Sequence, residues 1–220
     1  LARILRPLSR IYDHAYQAKK GSADPYMPDI PVICVGNLTA GGSGKTPTGI
    51  TIAKIIKSKK IFKNPCFMTR GYGGKLTKPV LLDTQTHTYK DLGDEAFLLA
   101  EHAPVIVSRD RKGGAIFAQE SGFDLIIMDD GMQNYTLHKH LTILVIDGKK
   151  GFGNMLTIPA GPLRCTVTEG LDHTDLCIII GDDEYGVCAL LPPDMLTIFA
   201  QISPVGDLPD RSQKYIAFAG

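Results

Sequence analysis

Residues 31–46 read PVICVGNLTAGGSGKT, and this stretch decides the fold. Residues 31–37 form an apolar run rich in β-branched side chains, which predicts a buried strand. A glycine-rich loop follows the strand directly, and Lys45 and Thr46 open a helix that we expect to run to about Lys59. A strand, a glycine-rich loop and a helix in this order bring backbone N–H groups and the positive end of a helix together. The stretch therefore predicts a phosphate-binding loop.

Each position of this loop has a candidate role in holding a nucleotide. The predicted nucleotide-binding residues are Thr39, Ala40, Gly41, Gly42, Ser43, Gly44, Lys45 and Thr46. We expect the Lys45 ammonium to reach the β- and γ-phosphates and the Thr46 hydroxyl to bind magnesium. The usual G-x-x-x-x-G-K-[ST] pattern has glycine where this chain has Thr39, but the remaining glycines still permit close backbone approach. A glycine-rich turn that contains GKT by chance is the alternative.

A second nucleotide-binding element follows later in the chain. The segment DLIIMDD, residues 124–130, places Asp129 and Asp130 at the carboxyl end of an apolar strand. A carboxylate in that position holds magnesium beside the hydroxyl of the phosphate loop in many nucleotide-binding proteins. The two carboxylates alone would also be explained as caps of the following turn. Both elements in this order on one chain predict a site for ATP and Mg²⁺.

The rest of the chain predicts an α/β fold of the P-loop NTPase type, with a mainly parallel sheet flanked by helices. Helical patterns at 93–102 and 112–121 alternate with apolar runs of the β type. These runs are residues 65–69, 104–108, 124–129, 141–147, 176–180, 196–202 and 214–219. We predict a kinase core over 30–164 and the start of a smaller C-terminal lobe over 165–220. The chain begins without Met and ends in an apolar run, so we expect both ends to be incomplete.

The N-terminal segment LARILRPLSRIYDHAYQAKK predicts an amphipathic helix over residues 1–20. Its apolar residues recur at helical spacing, and arginines lie between them. One interpretation is a helix that docks on an anionic membrane surface. The other is a helix packed on the domain with a solvated basic face. Pro7 is expected to kink the helix or delay its start.

Composition narrows the classes of partner. Lys and Arg number 24 against 23 Asp and Glu, a net charge of +1, which gives no global field for nucleic acid. The five cysteines form no C-x-x-C pair, which argues against a zinc knuckle and a disulfide framework and favours a reducing cytosol. No apolar run reaches the length of about 18 residues that a spanning helix needs.

The role of Asp94, in the segment GDE, distinguishes a kinase from a nucleotide-dependent switch ATPase. A carboxylate at the start of a helix stabilises the helix dipole, which is one explanation. The other is that Asp94 orients and deprotonates an acceptor hydroxyl beside the γ-phosphate. The residue type and position leave both open.

Five segments in order, VGNLTAGGSGKTP, RGYGG, GDE, DDGMQ and GNMLTIPAGPLR, together resemble the tetraacyldisaccharide 4'-kinase family of the lipid A pathway. The resemblance runs from the basic N-terminal helix to the final AFAG. It implies transfer of the ATP γ-phosphoryl group to the 4'-hydroxyl of a tetraacyldisaccharide 1-phosphate, by a peripheral enzyme at the cytoplasmic face of the inner membrane. It implies no nucleic acid and no obligate protein partner.

The resemblance also implies roles for individual residues. Asp94, Lys45 and Asp130 become catalytic, with Asp94 acting on the acceptor hydroxyl, and Thr46, Asp129 and Asp130 surround magnesium. Arg70 and Arg111 become candidate phosphate contacts, because a guanidinium fork suits phosphate oxygens, and a surface salt bridge is the alternative for each.

The chain departs from the family pattern at Asn134, where a histidine is usual, and at His140, where an aspartate is usual. These positions are expected to tune the metal or acceptor site. A metal pair formed by His138 and His140 on one strand face is an alternative, and two solvated histidines at the strand entrance are the favoured interpretation of that pair. Family members also continue beyond AFAG. A switch ATPase and an inactive nucleotide-binding remnant therefore stay as alternative functions.

Overall fold

A computed structural model describes residues 2–75 and 77–203 of the chain. Its centre is one eight-stranded sheet in the order β3-β4-β2-β5-β1-β6-β7-β8. The strands are β1 (Val32–Gly36), β2 (Pro65–Thr69), β3 (Val80–Leu81), β4 (Val105–Val107), β5 (Leu125–Asp129), β6 (Leu141–Asp147), β7 (Leu176–Ile180) and β8 (Leu196–Ala200). Every neighbouring pair is parallel except β3 and β4, which are antiparallel.

The helices connect these strands and cover both faces of the sheet. They are α1 (Ala2–Gly21), α2 (Lys45–Lys59), α3 (Tyr89–Leu92), α4 (Asp94–Ala100), α5 (Arg111–Glu120) and α6 (Val167–Leu171), with a 3-10 helix at Val187–Leu190. In β1, Cys34 belongs to the core that includes residues of α1, α5 and α6, whereas Val35 belongs to the core formed with α2 and α4. Successive side chains of a strand point to opposite faces, so a strand buried on both sides is apolar throughout. The predicted α/β fold with a mainly parallel, helix-flanked sheet is confirmed.

The predicted strands that lie within the described residues are all present, most of them within one residue of the expected bounds. The apolar run at 214–219 lies outside the described residues. Helix α2 begins at Lys45, within the phosphate loop. Helix α1 begins at Ala2 and continues through Pro7, so the expected delay of its start was wrong. Pro7 has no N–H to donate to the Arg3 carbonyl one turn earlier, so the helix continues without that one hydrogen bond.

The structure adds elements that the sequence pattern did not predict. Strand β3 has two residues and helices α3 and α6 have four and five. Segments this short are over before a hydrophobic period can repeat, so periodicity cannot reveal them.

Beyond residue 165, β7 and β8 extend the same sheet next to β6. The smaller lobe expected over 165–220 stays a prediction, because residues 204–220 are outside the described part. Among the helices of the described residues, none combines the length and the apolar character that crossing a bilayer requires.

Candidate active site

The two nucleotide-binding elements predicted from the sequence meet at the carboxyl edge of the sheet. Strands β1 and β5 are neighbours, and Val35 of β1 lies in register with Asp129 at the end of β5. The phosphate loop, residues 37–46, leaves β1 at this edge and enters α2. Ligands of open parallel sheets bind at the carboxyl ends of the strands. The topology therefore places both elements where a nucleotide would bind.

The phosphate loop has the backbone conformation of an anion-binding turn. Gly44 is the N-cap of α2 and has a φ of +87°, a left-handed backbone conformation that residues other than glycine rarely adopt. The helix begins at the next residue, Lys45, whose side chain is only 8% exposed. The Ser43 hydroxyl is buried and has no hydrogen-bond partner among the residues described. The first N–H groups of a helix also lack intrahelical acceptors, so this end of α2 is suited to a phosphate group.

Thr46 joins the phosphate loop to two carboxylates. Its Oγ1 lies 3.1 Å from Asp129 Oδ2 and 3.1 Å from Glu95 Oε1. Asp129 is buried, and its other oxygen, Oδ1, has no partner within the described part of the chain. Burial, and then the charge of Glu95, raise the pKa of the Asp129 carboxyl to about 7. Two close carboxylates, one of which has an unpaired buried oxygen, and a hydroxyl form a donor set that fits a divalent cation.

Asp130 lies beside this group but has a different partner. Its Oδ1 accepts a hydrogen bond from Arg164 Nη1 at 2.7 Å, which makes a partly exposed ion pair. The backbone of Asp130 is left-handed, with φ of +52°. The Gln133 side chain, three residues later, donates to the Asn37 carbonyl at 2.9 Å. The segment after β5 is therefore fastened to the start of the phosphate loop.

Asp94 is the first residue of α4 and is exposed. Its Oδ1 accepts a hydrogen bond from the Glu95 N–H at 2.9 Å, as expected for a carboxylate at a helix start. Gly93 before it has φ of +82°, and a Cβ there would overlap the Tyr72 carbonyl oxygen. The RGYGG segment thus packs on the start of α4. Glu95 contacts Thr46 of the phosphate loop, and Asp94 is the residue directly before Glu95.

A strap, defined as residues 156–164, explains why the loop accepts Thr39. Thr39 pairs with Leu163 as an isolated antiparallel bridge. Beside it, the Ala40 N–H donates to the Pro162 carbonyl and the Arg164 N–H donates to the Leu38 carbonyl, both at 2.7 Å. The residue in this position takes part in backbone pairing, for which glycine has no advantage.

Two residues of the site were missed in the sequence. Glu95 follows Asp94 in the GDE motif, but only the first carboxylate was assigned a role. Arg164 ends the GPLR motif and pairs with Asp130 across 34 positions. Each belonged to a motif that was already recognised, and only the fold shows which neighbour it meets.

In the described part of the chain, neither of the two candidate phosphate contacts and neither of the two departures from the family pattern makes a hydrogen bond with Thr46 or the side chain of Asp129. Arg70 is exposed, whereas Arg111 is buried and donates to the carbonyls of Ser108 and Asp129 at 3.3 and 3.4 Å. Asn134 accepts from the N–H and hydroxyl of Thr136, which stabilises a turn. His140 Nδ1 accepts from the Val32 N–H at the opposite, amino end of the sheet. The carboxyl-edge site is thus built without His140, which argues against a role in tuning it.

Comparison of the sequence with known proteins identifies a family profile and several relatives. A family profile described as LpxK, tetraacyldisaccharide-1-P 4'-kinase, matches residues 1–202. The chain is 42% identical over its full length to the tetraacyldisaccharide 4'-kinase of Paramagnetospirillum magneticum, covering 68% of that protein. It is 39% identical to the Rhodopseudomonas palustris protein of the same name, covering 66%.

A solved structure agrees with these sequence relatives. The "apo" form of LpxK from Aquifex aeolicus in complex with ATP superposes with a TM-score of 0.76 and 28% identity. The match covers 90% of this chain and 64% of the Aquifex chain. The chain thus spans about two thirds of the length of the relatives that it matches.

Proposed function

The chain belongs to the tetraacyldisaccharide-1-P 4'-kinase family, as its motifs indicated, and from this premise we propose that it transfers the γ-phosphoryl group of ATP to the 4'-hydroxyl of a tetraacyldisaccharide 1-phosphate. The observation that carries the proposal is the contact of Thr46 with both Glu95 and Asp129 at the carboxyl edge of the sheet. That contact joins the phosphate loop, the strand-end carboxylate and the segment that holds Asp94.

The nucleotide is proposed to bind along the phosphate loop. The glycines and the start of α2 offer backbone N–H groups to the phosphates, and the ammonium of the buried Lys45 stabilises the charge on the β- and γ-phosphates. A charge interaction in a site with little water is stronger than one at the surface, and Lys45 is only 8% exposed.

Thr46 and Asp129 are the proposed magnesium ligands, with Glu95 next to them and Asp130 nearby. When bound, Mg²⁺ would neutralise charge on the phosphate oxygens during transfer. The unpaired Oδ1 of Asp129 supports this assignment, because a buried carboxylate oxygen without a partner is costly unless a ligand satisfies it. Arg164 orients the Asp130 carboxylate through their ion pair.

Asp94 is the proposed base. Its exposed position at the start of α4 leaves one carboxylate oxygen free to accept the proton of the acceptor hydroxyl. The hydroxyl oxygen then forms the new bond to the γ-phosphorus while the bond from that phosphorus to ADP breaks. Gly93 packs against the Tyr72 carbonyl oxygen with no room for a Cβ, and this contact supports the start of α4, where Asp94 lies.

Helix α1 is proposed to dock on an anionic membrane surface at the cytoplasmic face of the inner membrane. Ile4, Leu8 and Ile11 lie on one face and are 76%, 50% and 66% exposed. Arg3 and Arg10 are exposed on the neighbouring side. Exposed apolar side chains flanked by arginines suit a helix that lies in the interface between lipid and water.

Transfer of labelled γ-phosphate tests the reaction. MgATP and tetraacyldisaccharide 1-phosphate in detergent micelles are incubated with the wild-type chain, with Asp94→Asn and with Glu101→Gln, a matched exposed carboxylate at the end of the same helix. We expect labelled lipid from the wild type and from Glu101→Gln, and a rate lowered about 10²- to 10⁴-fold in Asp94→Asn. Label released only as inorganic phosphate, at a rate indifferent to the lipid, would refute the kinase and favour a switch ATPase.

A further inference from the structure

Helix α1 is tied to the strap by a buried serine. Ser9 is 5% exposed, and its Oγ donates to the Thr157 carbonyl at 2.8 Å and accepts from the Ala160 N–H at 3.1 Å. Both partners are main-chain groups of the strap. A buried hydroxyl that both donates and accepts fixes the position of its partners, since each loses its hydrogen bond if it moves.

A second side chain of α1 reaches the other end of the strap. The Tyr12 hydroxyl donates to the Arg164 carbonyl at 2.9 Å. The N–H of the same Arg164 donates to Leu38, and its guanidinium pairs with Asp130. Arg164 therefore has the helix on one side and two parts of the nucleotide site on the other.

The strap is folded on itself, so its two sides move together. Thr157, which Ser9 holds, pairs with Leu163, and Leu163 pairs in turn with Thr39 of the phosphate loop. The Ile158 N–H donates to the Leu163 carbonyl at 2.9 Å, and the Leu163 N–H donates to Leu156 at 3.1 Å. A series of main-chain hydrogen bonds thus runs from the residues that Ser9 holds to Leu38 and Ala40, on either side of Thr39.

We propose that Ser9 and Tyr12 are positioning residues that hold the phosphate loop in its nucleotide-binding conformation through the strap. Neither side chain is among the residues to which the nucleotide site has been assigned. The inference rests on the proposed function, because it takes the phosphate loop to be the site of MgATP. It gives α1 a role in nucleotide affinity that is separate from the role of its exposed apolar face.

The physical reason is preorganisation. A loop held in the bound conformation loses less conformational freedom on binding than a loop that must first be ordered. Removal of a hydroxyl from α1 changes no residue of the phosphate loop. It weakens the attachment of the strap, with which Thr39 and Ala40 are paired. The apparent affinity is then the intrinsic affinity multiplied by the fraction of molecules in which the loop has the nucleotide-binding conformation.

Calorimetric titration with MgATP tests this role in Ser9→Ala and Tyr12→Phe, well below the melting temperature of each. Gln17→Ala, an exposed position on the same helix, is the matched control. We expect each hydroxyl deletion to raise the dissociation constant roughly three- to tenfold, the effect of one net hydrogen bond. Gln17→Ala is expected to bind as the wild type does. A contribution to stability alone would lower the melting temperature of Ser9→Ala without changing the affinity of the folded protein.

The outcomes separate the inference from the function on which it rests. Wild-type binding of MgATP with unchanged affinity in both Ser9→Ala and Tyr12→Phe would overturn the positioning role and leave the kinase proposal standing. Tyr12→Phe retains the ring and loses one hydroxyl, so it gives a second measure if Ser9→Ala folds poorly. A wild-type chain that does not bind MgATP would overturn the proposed function and the positioning role with it.

Discussion

At the scale of single residues, the site combines groups that destabilise the empty protein. Asp129 is buried beside Glu95 and has one oxygen without a partner among the described residues. The raised pKa of Asp129 means that the folded state without ligand binds a proton more tightly than the unfolded state does. Such strain is typical of a site that awaits a cation, because the ligand supplies the charge that the fold omits.

Asp129→Asn is predicted to stabilise the ligand-free protein. The Asp129 pKa rises from 3.8 to about 7 on folding, so the stability that protonation supplies is lost as pH increases through about 7. Asparagine has the same shape without the charge, and we expect it to raise the free energy of unfolding by about 1 to 3 kcal/mol near pH 8, with little effect below the unfolded pKa, near pH 3. Urea unfolding at a series of pH values measures the difference.

Glu95→Gln provides the control for that prediction. It removes the neighbouring negative charge that raises the Asp129 pKa and leaves Asp129 buried, so that pKa is expected to fall and the loss of stability to be smaller and complete at a lower pH. A denaturation series in which Asp129→Asn and the wild type keep the same difference at every pH would show that the Asp129 carboxyl does not titrate in this range.

At the scale of helices, strands and loops, the sequence predicts best what periodicity and composition determine. The strands with continuous apolar side chains, such as β5 and β6, are buried on both faces and could be recognised without any tertiary information. The phosphate loop was recognised in spite of Thr39, because its glycines and the order of strand and helix carry the signal. The two-residue β3 depends on pairing with β4 and has no signal of its own.

The contacts between distant segments could not be predicted in the same way. The meeting of Thr46 with Glu95 spans 49 positions, and that of Ser9 with Thr157 spans 148. Nothing in the local sequence specifies which carboxylate meets Thr46, since that follows from the order of strands in the sheet. The GDE motif marked this segment in the sequence, and the fold shows that Glu95 is the carboxylate of the motif that contacts Thr46.

Helix α1 is predicted to carry most of the membrane affinity. Ile4→Ser together with Ile11→Ser removes two exposed apolar side chains, and burial of each in the lipid interface would contribute about 1.5 to 3 kcal/mol. We therefore expect binding to liposomes that contain anionic lipid to fall at least tenfold, without loss of fold. Co-sedimentation measures this binding, and liposomes of zwitterionic lipid alone are expected to bind the wild type more weakly. Equal sedimentation of the double variant and the wild type would contradict membrane docking by this face.

At the scale of the whole molecule, one sheet brings the separate parts of the proposed reaction to a single edge. The parallel order places the ends of β1 and β5 side by side, and the strap connects that edge with α1. The proposed membrane-docking helix and the proposed nucleotide site thus belong to one connected structure. This arrangement suits an enzyme whose acceptor is a lipid and whose donor is dissolved in water.

Binding of MgATP is the property on which every other role proposed for this chain depends, and isothermal titration calorimetry measures it directly. The wild-type chain is titrated with ATP in the presence of Mg²⁺ and after chelation of the metal, beside Lys45→Ala and the exposed control Lys54→Ala from the same helix. We predict that the wild type and Lys54→Ala bind alike, that chelation weakens binding, and that Lys45→Ala weakens it about 10- to 100-fold. Binding that is unchanged in Lys45→Ala and indifferent to Mg²⁺ would contradict a magnesium nucleotide site at the phosphate loop.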